Sequence, residues 1–213
     1  KSAIDILNQG NSVCIDYGKI NNILFFCTCG VGFDAFVSLK FADSGKRGLL
    51  TYLENTLHES LTYQPETYEI ENEEGTVRHK AFLIACGNAS QYGNNAYITP
   101  HASLTDGLMD ITIMEPFTVL DVPSLSFQLF NKTLDQNSRI KTMRAKKIKI
   151  HRQHDGVMHF DGDPLMAGKE LEVEIIPAGL HVIASPKKRT KEESENLLQV
   201  ISNYFSGLHL KGE

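Results

Sequence analysis

The sequence predicts a mainly β protein, an antiparallel β-sandwich carrying two or three helices, and three observations lead there. Short segments of apolar–polar alternation recur along the chain, turn formers end them at brief intervals, and strands nowhere alternate with helices as a parallel sheet requires. With 213 residues, 41% of them hydrophobic, there is enough chain for one well-packed core.

Taken in order, residues 1–10 (KSAIDILNQG) read as the remnant of a linker from a preceding domain, because the chain opens on Lys1 without a methionine. VCIDYGKI and NNILFFCTCGVG follow as strands. If the second runs unbroken, Cys27 and Cys29 share a face. With Cys14 and Cys86 they read as free thiols of a reducing cytoplasm, since no second pair stands at zinc-ligand spacing. The stretch SGKRGLLTYLENTLHESLTY places Leu49, Leu53 and Leu57 four apart, which predicts an amphipathic helix over 45–61. ETYEIEN and TVRHKAFLIACGN form a hairpin with Glu74 and Gly75 at its turn. LMDITIME is a strand, and VPSLSFQLF opens a helix on Pro123, where the missing N–H costs nothing. AKKIKIHRQ, GVMHFDGD and KELEVEIIPAGLHVIA are strands; in the last, Leu171, Val173 and Ile175 alternate with glutamates, one face core and one wet. The sandwich therefore spans 11–186. Residues 187–213 form a charged segment and an amphipathic helix, whose stripe through Leu197, Leu198, Ile201, Tyr204 and Phe205 needs cover. A nucleotide-binding domain, its own sandwich and a second copy in a homodimer are the three candidates.

Charge excludes one class of partner. The net charge is −5, and the basic run KKRTK at 187–191 is short and followed at once by acids, so nucleic acid is not expected. No apolar run reaches the roughly 20 residues a membrane helix needs.

Two stretches carry chemistry. The first, GNASQYGNNAYITPHASLTDGLMD, is a link of some twenty residues between strands, long enough to suggest a function. At its end, Asp106-Gly107 is either a plain turn into a strand or a hard-oxygen site, one carboxylate with nearby carbonyls, suited to Mg²⁺. The second is HRQHDGVMHFDGDPL. If VMHFDGD is a strand, His159, Asp161 and Asp163 share one face. They are then a solvated surface, or Asp161 and Asp163 are a carboxylate pair able to orient and deprotonate a hydroxyl. His151, His154, Asp155 and His159 also admit a metal cluster, though at no helical ligand spacing.

Three stretches together resemble one family. DYGKINNILFFCTCGVGFDAFV, GNASQYGNNAYITPHASLTDGLMDI and HFDGDPL resemble, in order, segments of the diacylglycerol kinase-like lipid kinases, which include the sphingosine and ceramide kinases and bacterial lipid kinases. The likeness runs from about residue 10 to 185. It implies the lipid-binding second domain of the diacylglycerol kinase/NAD kinase-like fold, the acceptor half of an ATP-dependent enzyme that phosphorylates a lipid hydroxyl of diacylglycerol or sphingoid type.

Carried over by position, the resemblance implies that Asp106 holds Mg²⁺ with the backbone carbonyls of Ser103 and Leu108, and that Asp161 and Asp163 are the carboxylates assigned to the base. Two positions depart from the family pattern: Asp163 stands where Glu is usual, and Asn94 where a second Gly is usual. The resemblance further implies a partner N-terminal domain whose Gly-Gly-Asp-Gly-Thr loop binds ATP, a motif these 213 residues do not contain. This chain alone is then inactive. A lipid substrate implies a cytoplasmic protein in peripheral contact with the inner membrane surface, with an apolar cleft for the lipid chains placed between the sheets and bounded by the 45–61 helix. Two other readings stay open: a metal-dependent hydrolase built on the 151–163 His/Asp cluster, and a non-catalytic β-module that binds lipid or a partner.

Overall fold

The computed structural model describes residues 2–44 and 63–184. The helix expected over 45–61 and the apolar stripe of 187–213 lie outside the described residues. Two compact units divide the chain: Cys14–His181, and the two chain ends, Lys1–Val13 with Val182–Glu213.

In the unit of the chain ends, residues read as linker form a helix, α1 (Ser2–Gln9), which stops at Gly10 with φ +64°. A left-handed glycine just past the last turn is a common helix terminator. The Ala184 N–H donates to the Asn11 carbonyl at 3.0 Å in the same unit.

The larger unit is a sandwich of two six-stranded sheets. Its strands, in chain order, are β1 (Ser12–Ile20), β2 (Ile23–Phe25), β3 (Thr28–Gly32), β4 (Glu66–Asn72), β5 (Gly75–Ala81), β6 (Leu83–Gly87), β7 (Met109–Met114), β8 (Ile140–Ala145), β9 (Lys147–Arg152), β10 (Gly156–Phe160), β11 (Asp163–Ala167) and β12 (Glu170–Ile183). Among the described residues two α-helices accompany them, α2 (Phe33–Ser44) and α3 (Val122–Phe130). One sheet has the order β2-β1-β12-β9-β4-β5 and the other β11-β10-β3-β6-β7-β8.

Alternation along the strands builds two apolar layers. Side chains such as Val31, Ile84, Ile111 and Met158 of the second sheet meet Ile70, Ile150 and Val173 of the first in the core between the sheets. The opposite face of the second sheet is also covered, because Ala85 and Leu83 point there and pack with Phe33, Val37 and Leu125 of the helices. This outer layer becomes the site.

Two segments read as single strands in the sequence instead change sheets. NNILFFCTCGVG breaks at Phe26–Cys27 and TVRHKAFLIACGN breaks at Phe82; β8 likewise passes to the other sheet, as β9, through Lys146. Cys27 and Cys29 therefore do not share a face: Cys27 is exposed at the corner, and Cys29 is buried opposite Cys86. The β4–β5 turn is Glu73–Glu74 and not Glu74–Gly75, since Gly75 already pairs with Asn72, whose Oδ1 accepts from the N–H groups of Glu74 and Gly75.

Candidate active site

Asp161 and Gly162, at φ +49° and +91°, form the two-residue turn between β10 and β11, with Phe160 paired to Asp163 across it. Positive φ at both central residues is the geometry that Asp-Gly favours in a tight hairpin. VMHFDGD is thus not one strand, and the face shared by His159, Asp161 and Asp163 does not exist.

Each of the three has a different role. The Asp161 carboxylate is an anchor: Oδ2 accepts from the Phe26 N–H at 2.7 Å, and Oδ1 accepts from Cys27 at 2.7 Å and Thr28 at 3.0 Å. The Asp161 N–H donates to the Thr28 carbonyl at 2.8 Å. One turn residue thereby satisfies the N–H groups that the β2–β3 corner cannot spend on a ladder. Asp163 follows at the start of β11, exposed and lining the cavity described below. Among the described residues, no hydrogen bond or ion pair holds its carboxylate.

His159 is buried, not solvated, and its Nε2 lies 3.0 Å from Asp34 Oδ2. The same oxygen accepts from the Tyr92 hydroxyl at 2.8 Å, while Oδ1 accepts from the Ala35 N–H at 2.8 Å. Since a carboxylate can only accept, Nε2 carries the proton, and His159 Nδ1 is left buried without a partner among the described residues. Asp34 sits in the first turn of α2, where a negative charge is favoured by the helix dipole. Gly30 on β3 makes the pair fit: a Cβ there would lie 2.7 Å from Asp34 Oδ2 and 3.1 Å from His159 Nε2. Sequence reasoning missed Asp34, and the available signal was one acid inside the apolar run GVGFDAFV.

These groups stand at the polar end of a cavity of about 920 Å³. Asp34, His159, Asp161 and Asp163 line that end, and Val37, Phe82, Met114, Leu125 and Leu129 are among the apolar side chains that line the rest. The cavity lies on the outer face of the second sheet beneath α2 and α3. The expected cleft between the sheets is instead filled by core. Burial first, and the Asp161 carboxylate second, push the Cys27 thiol at the cavity edge up, so it is no thiolate at neutral pH.

The 103–108 turn is braced by protein groups. Asp16 is buried in β1; its Oδ2 accepts from the Gly107 N–H and its Oδ1 from the Ala178 N–H, both at 2.7 Å. Its own N–H donates to the Leu104 carbonyl at 2.7 Å. Asn88 Nδ2 donates to the Asp16 and Phe26 carbonyls at 2.9 and 2.8 Å, which joins this turn to the corner that Asp161 holds.

Asp106 itself is engaged twice, Oδ1 accepting from the Leu108 N–H at 3.1 Å and Oδ2 ion-paired with Arg144. The donor set expected for Mg²⁺ at Ser103, Asp106 and Leu108 does not fit that ion as folded. Its single carboxylate is already neutralised by a guanidinium, which a divalent cation would face as a like charge. Nor do the histidines of 151–163 converge. His151 lies on the other sheet, within 3.6 Å of Glu71 and 3.8 Å of Glu170, and among the described residues no three His, Cys, Asp or Glu side chains are grouped to hold a metal. That removes the basis of the hydrolase reading.

Comparison with known proteins agrees with this architecture. Probable lipid kinase YegS of Escherichia coli (strain SMS-3-5 / SECEC) is 27% identical over 187 residues, covering 86% of this chain and 61% of that protein. The protein of the same name from Shigella boydii serotype 18 gives the same figures. The chain thus spans about 61% of the length of these curated relatives. Among solved structures, a putative diacylglycerol kinase from Bacillus anthracis str. Sterne superimposes with a TM-score of 0.65 at 17% identity, over 86% of this chain and 60% of that one. A second structure of that description gives 0.63 at 18% identity, over 86% and 61%. At such identity these two establish the fold alone. Residues 27–184, most of the chain, match the family described as the YegS C-terminal NAD kinase beta sandwich-like domain, and the chain belongs to that family.

Proposed function

We propose that this chain is the acceptor-binding half of an ATP-dependent lipid kinase, with the cavity beneath α2 and α3 holding the lipid chains and the Asp163 end holding the hydroxyl. The observation that carries the reading is an apolar cavity of about 920 Å³ ending in carboxylates, the shape and chemistry of a one-hydroxyl amphiphile. The names of the relatives, lipid kinase and diacylglycerol kinase, support the same class.

In this reading the two carboxylates of the Asp-Gly-Asp turn divide the work. Asp161 fixes the corner and thereby the turn. Asp163, unengaged among the described residues and at the cavity mouth, takes the proton of the lipid hydroxyl as its oxygen attacks the γ-phosphorus and the bond to the bridging oxygen of ADP breaks. Such a transfer asks for positioning more than covalent chemistry, which the fixed turn supplies. ATP is bound by a nucleotide-binding domain of the family's kind, and no step is assigned to Asp106. The acceptor lives in a bilayer, so the complete enzyme works in peripheral contact with a membrane surface.

Incubated with labelled ATP and a panel of lipid alcohols, the 213-residue chain is expected to bind lipid and transfer nothing. Phosphorylated lipid that disappears with Asp163→Asn would contradict this division between halves. Absence of lipid binding would contradict the assignment of the cavity.

A further inference from the structure

We propose that Arg144 takes the place of a divalent cation in this chain, bracing the 103–110 turn through its guanidinium so that the turn needs no metal. Arg144 stands on β8, and its register brings it directly opposite Asp110 on β7. From there Nε donates to Asp110 Oδ2 at 3.2 Å, while Nη2 reaches Asp106 Oδ2. A planar fork spanning two carboxylates gives both charge neutralisation and direction, as a bound cation would.

Three further backbone groups of the turn are met by protein partners. The Gly107 N–H, the Leu104 carbonyl and the Leu108 N–H all have partners, two of them supplied by buried Asp16 and the third by Asp106 itself. The other titratable side chain near Asp110 is His101, whose Nε2 lies 3.2 Å from Asp135 Oδ2. A cation placed between Asp106 and Asp110 would have to displace the guanidinium. The inference is independent of the lipid-kinase reading, because it concerns only what holds one turn.

Thermal melting of the chain in EDTA and in millimolar MgCl₂ at matched ionic strength tests it, with Asp106→Asn, Arg144→Met and Arg144→Lys alongside. The unchanged chain is expected to melt within about 1 °C in the two solutions, whereas a metal bound only by the folded state would raise the midpoint by mass action. Arg144→Met is expected to melt about 2–4 °C lower, and Arg144→Lys in between, since a point charge cannot span both carboxylates. A saturable Mg²⁺-dependent rise in the unchanged chain that Asp106→Asn removes would overturn the proposal. So would an Arg144→Met chain that melts with the unchanged one. If Arg144→Met fails to fold, the unchanged chain and Asp106→Asn still decide.

Discussion

Asp163→Asn in the complete kinase is expected to lower kcat by about 10²–10⁴ while leaving KM for the lipid within a few-fold, the size of effect lost with a general base. The side chain lines the cavity end and is not held by any of the described residues, so the amide should change proton transfer and little else. Asp163→Glu restores the residue usual in the lipid kinases that the motif resembles and is expected to keep most activity. Asp161→Asn is the informative contrast. Its two oxygens accept three N–H bonds, and an amide offers one acceptor oxygen with an NH₂ group that would face a donor. That variant should lose stability as well as turnover. Equal loss of kcat in Asp163→Asn and Asp163→Glu, or a fall in KM-determined affinity with unchanged kcat, would remove Asp163 from the role of base.

Arg152→Met is expected to cost about 2–4 kcal/mol of folding stability, a melting-temperature drop of roughly 5–15 °C. Arg152 is buried, and its guanidinium donates to four carbonyls: Gly168 at 3.1 Å, Val157 at 3.0 Å, Gly156 at 2.7 Å and Ala167 at 2.8 Å. It closes the open ends of β10 and β11, the hairpin that carries Asp161 and Asp163 at its other end. Methionine fills similar volume but leaves those carbonyls without their donor, and a buried polar group left unmade costs more than a bond gained. Lysine should rescue only part, because an ammonium cannot reach in four directions. A shift below about 2 °C in the Arg152→Met melting curve would mean that the carbonyls find other partners.

Much of the sandwich was legible in the sequence because alternation at period two is a direct consequence of one face being core. Leu171, Val173 and Ile175 against their glutamates announce β12, and all three are buried. The same periodicity cannot reveal where a strand leaves one sheet for the other. At Phe26–Cys27 and at Phe82 the chain keeps alternating while its hydrogen-bond partners change, so each of two pairs of strands reads as one element. The edge strand β8 was invisible for a related reason: only Ile140 of it is buried. Helix α2 escaped because FDAFVSLKFADS is apolar on most positions, and a stripe cannot be seen where every face is greasy.

The candidate site divides in the same way. Asp161 and Asp163 were identified as a pair from the motif, but their separate roles depend on a turn that places one carboxylate on the corner N–H groups and the other at the cavity. Asp34, His159 and Asn88 act through contacts between residues 58 to 125 positions apart, which no local spacing can encode. Asp16 gave the clearest missed signal, an acid at an inward position of an alternating strand. A buried carboxylate must be paid for with donors, and here they are Gly107 and Ala178.

The central claim, that the lipid tail occupies the cavity beneath α2 and α3, is tested most directly by titrating the chain with a short-chain diacylglycerol and following heat or intrinsic fluorescence, with Leu125→Trp and Asp163→Asn alongside. Leu125 is a buried side chain of α3 on the cavity wall, so tryptophan there projects into the space the tail needs. Saturable binding to the unchanged chain is expected, with at least tenfold weaker binding to Leu125→Trp, about 1.4 kcal/mol or more, and nearly unchanged binding to Asp163→Asn. Binding to a folded Leu125→Trp chain as tight as to the unchanged one would place the lipid outside this cavity.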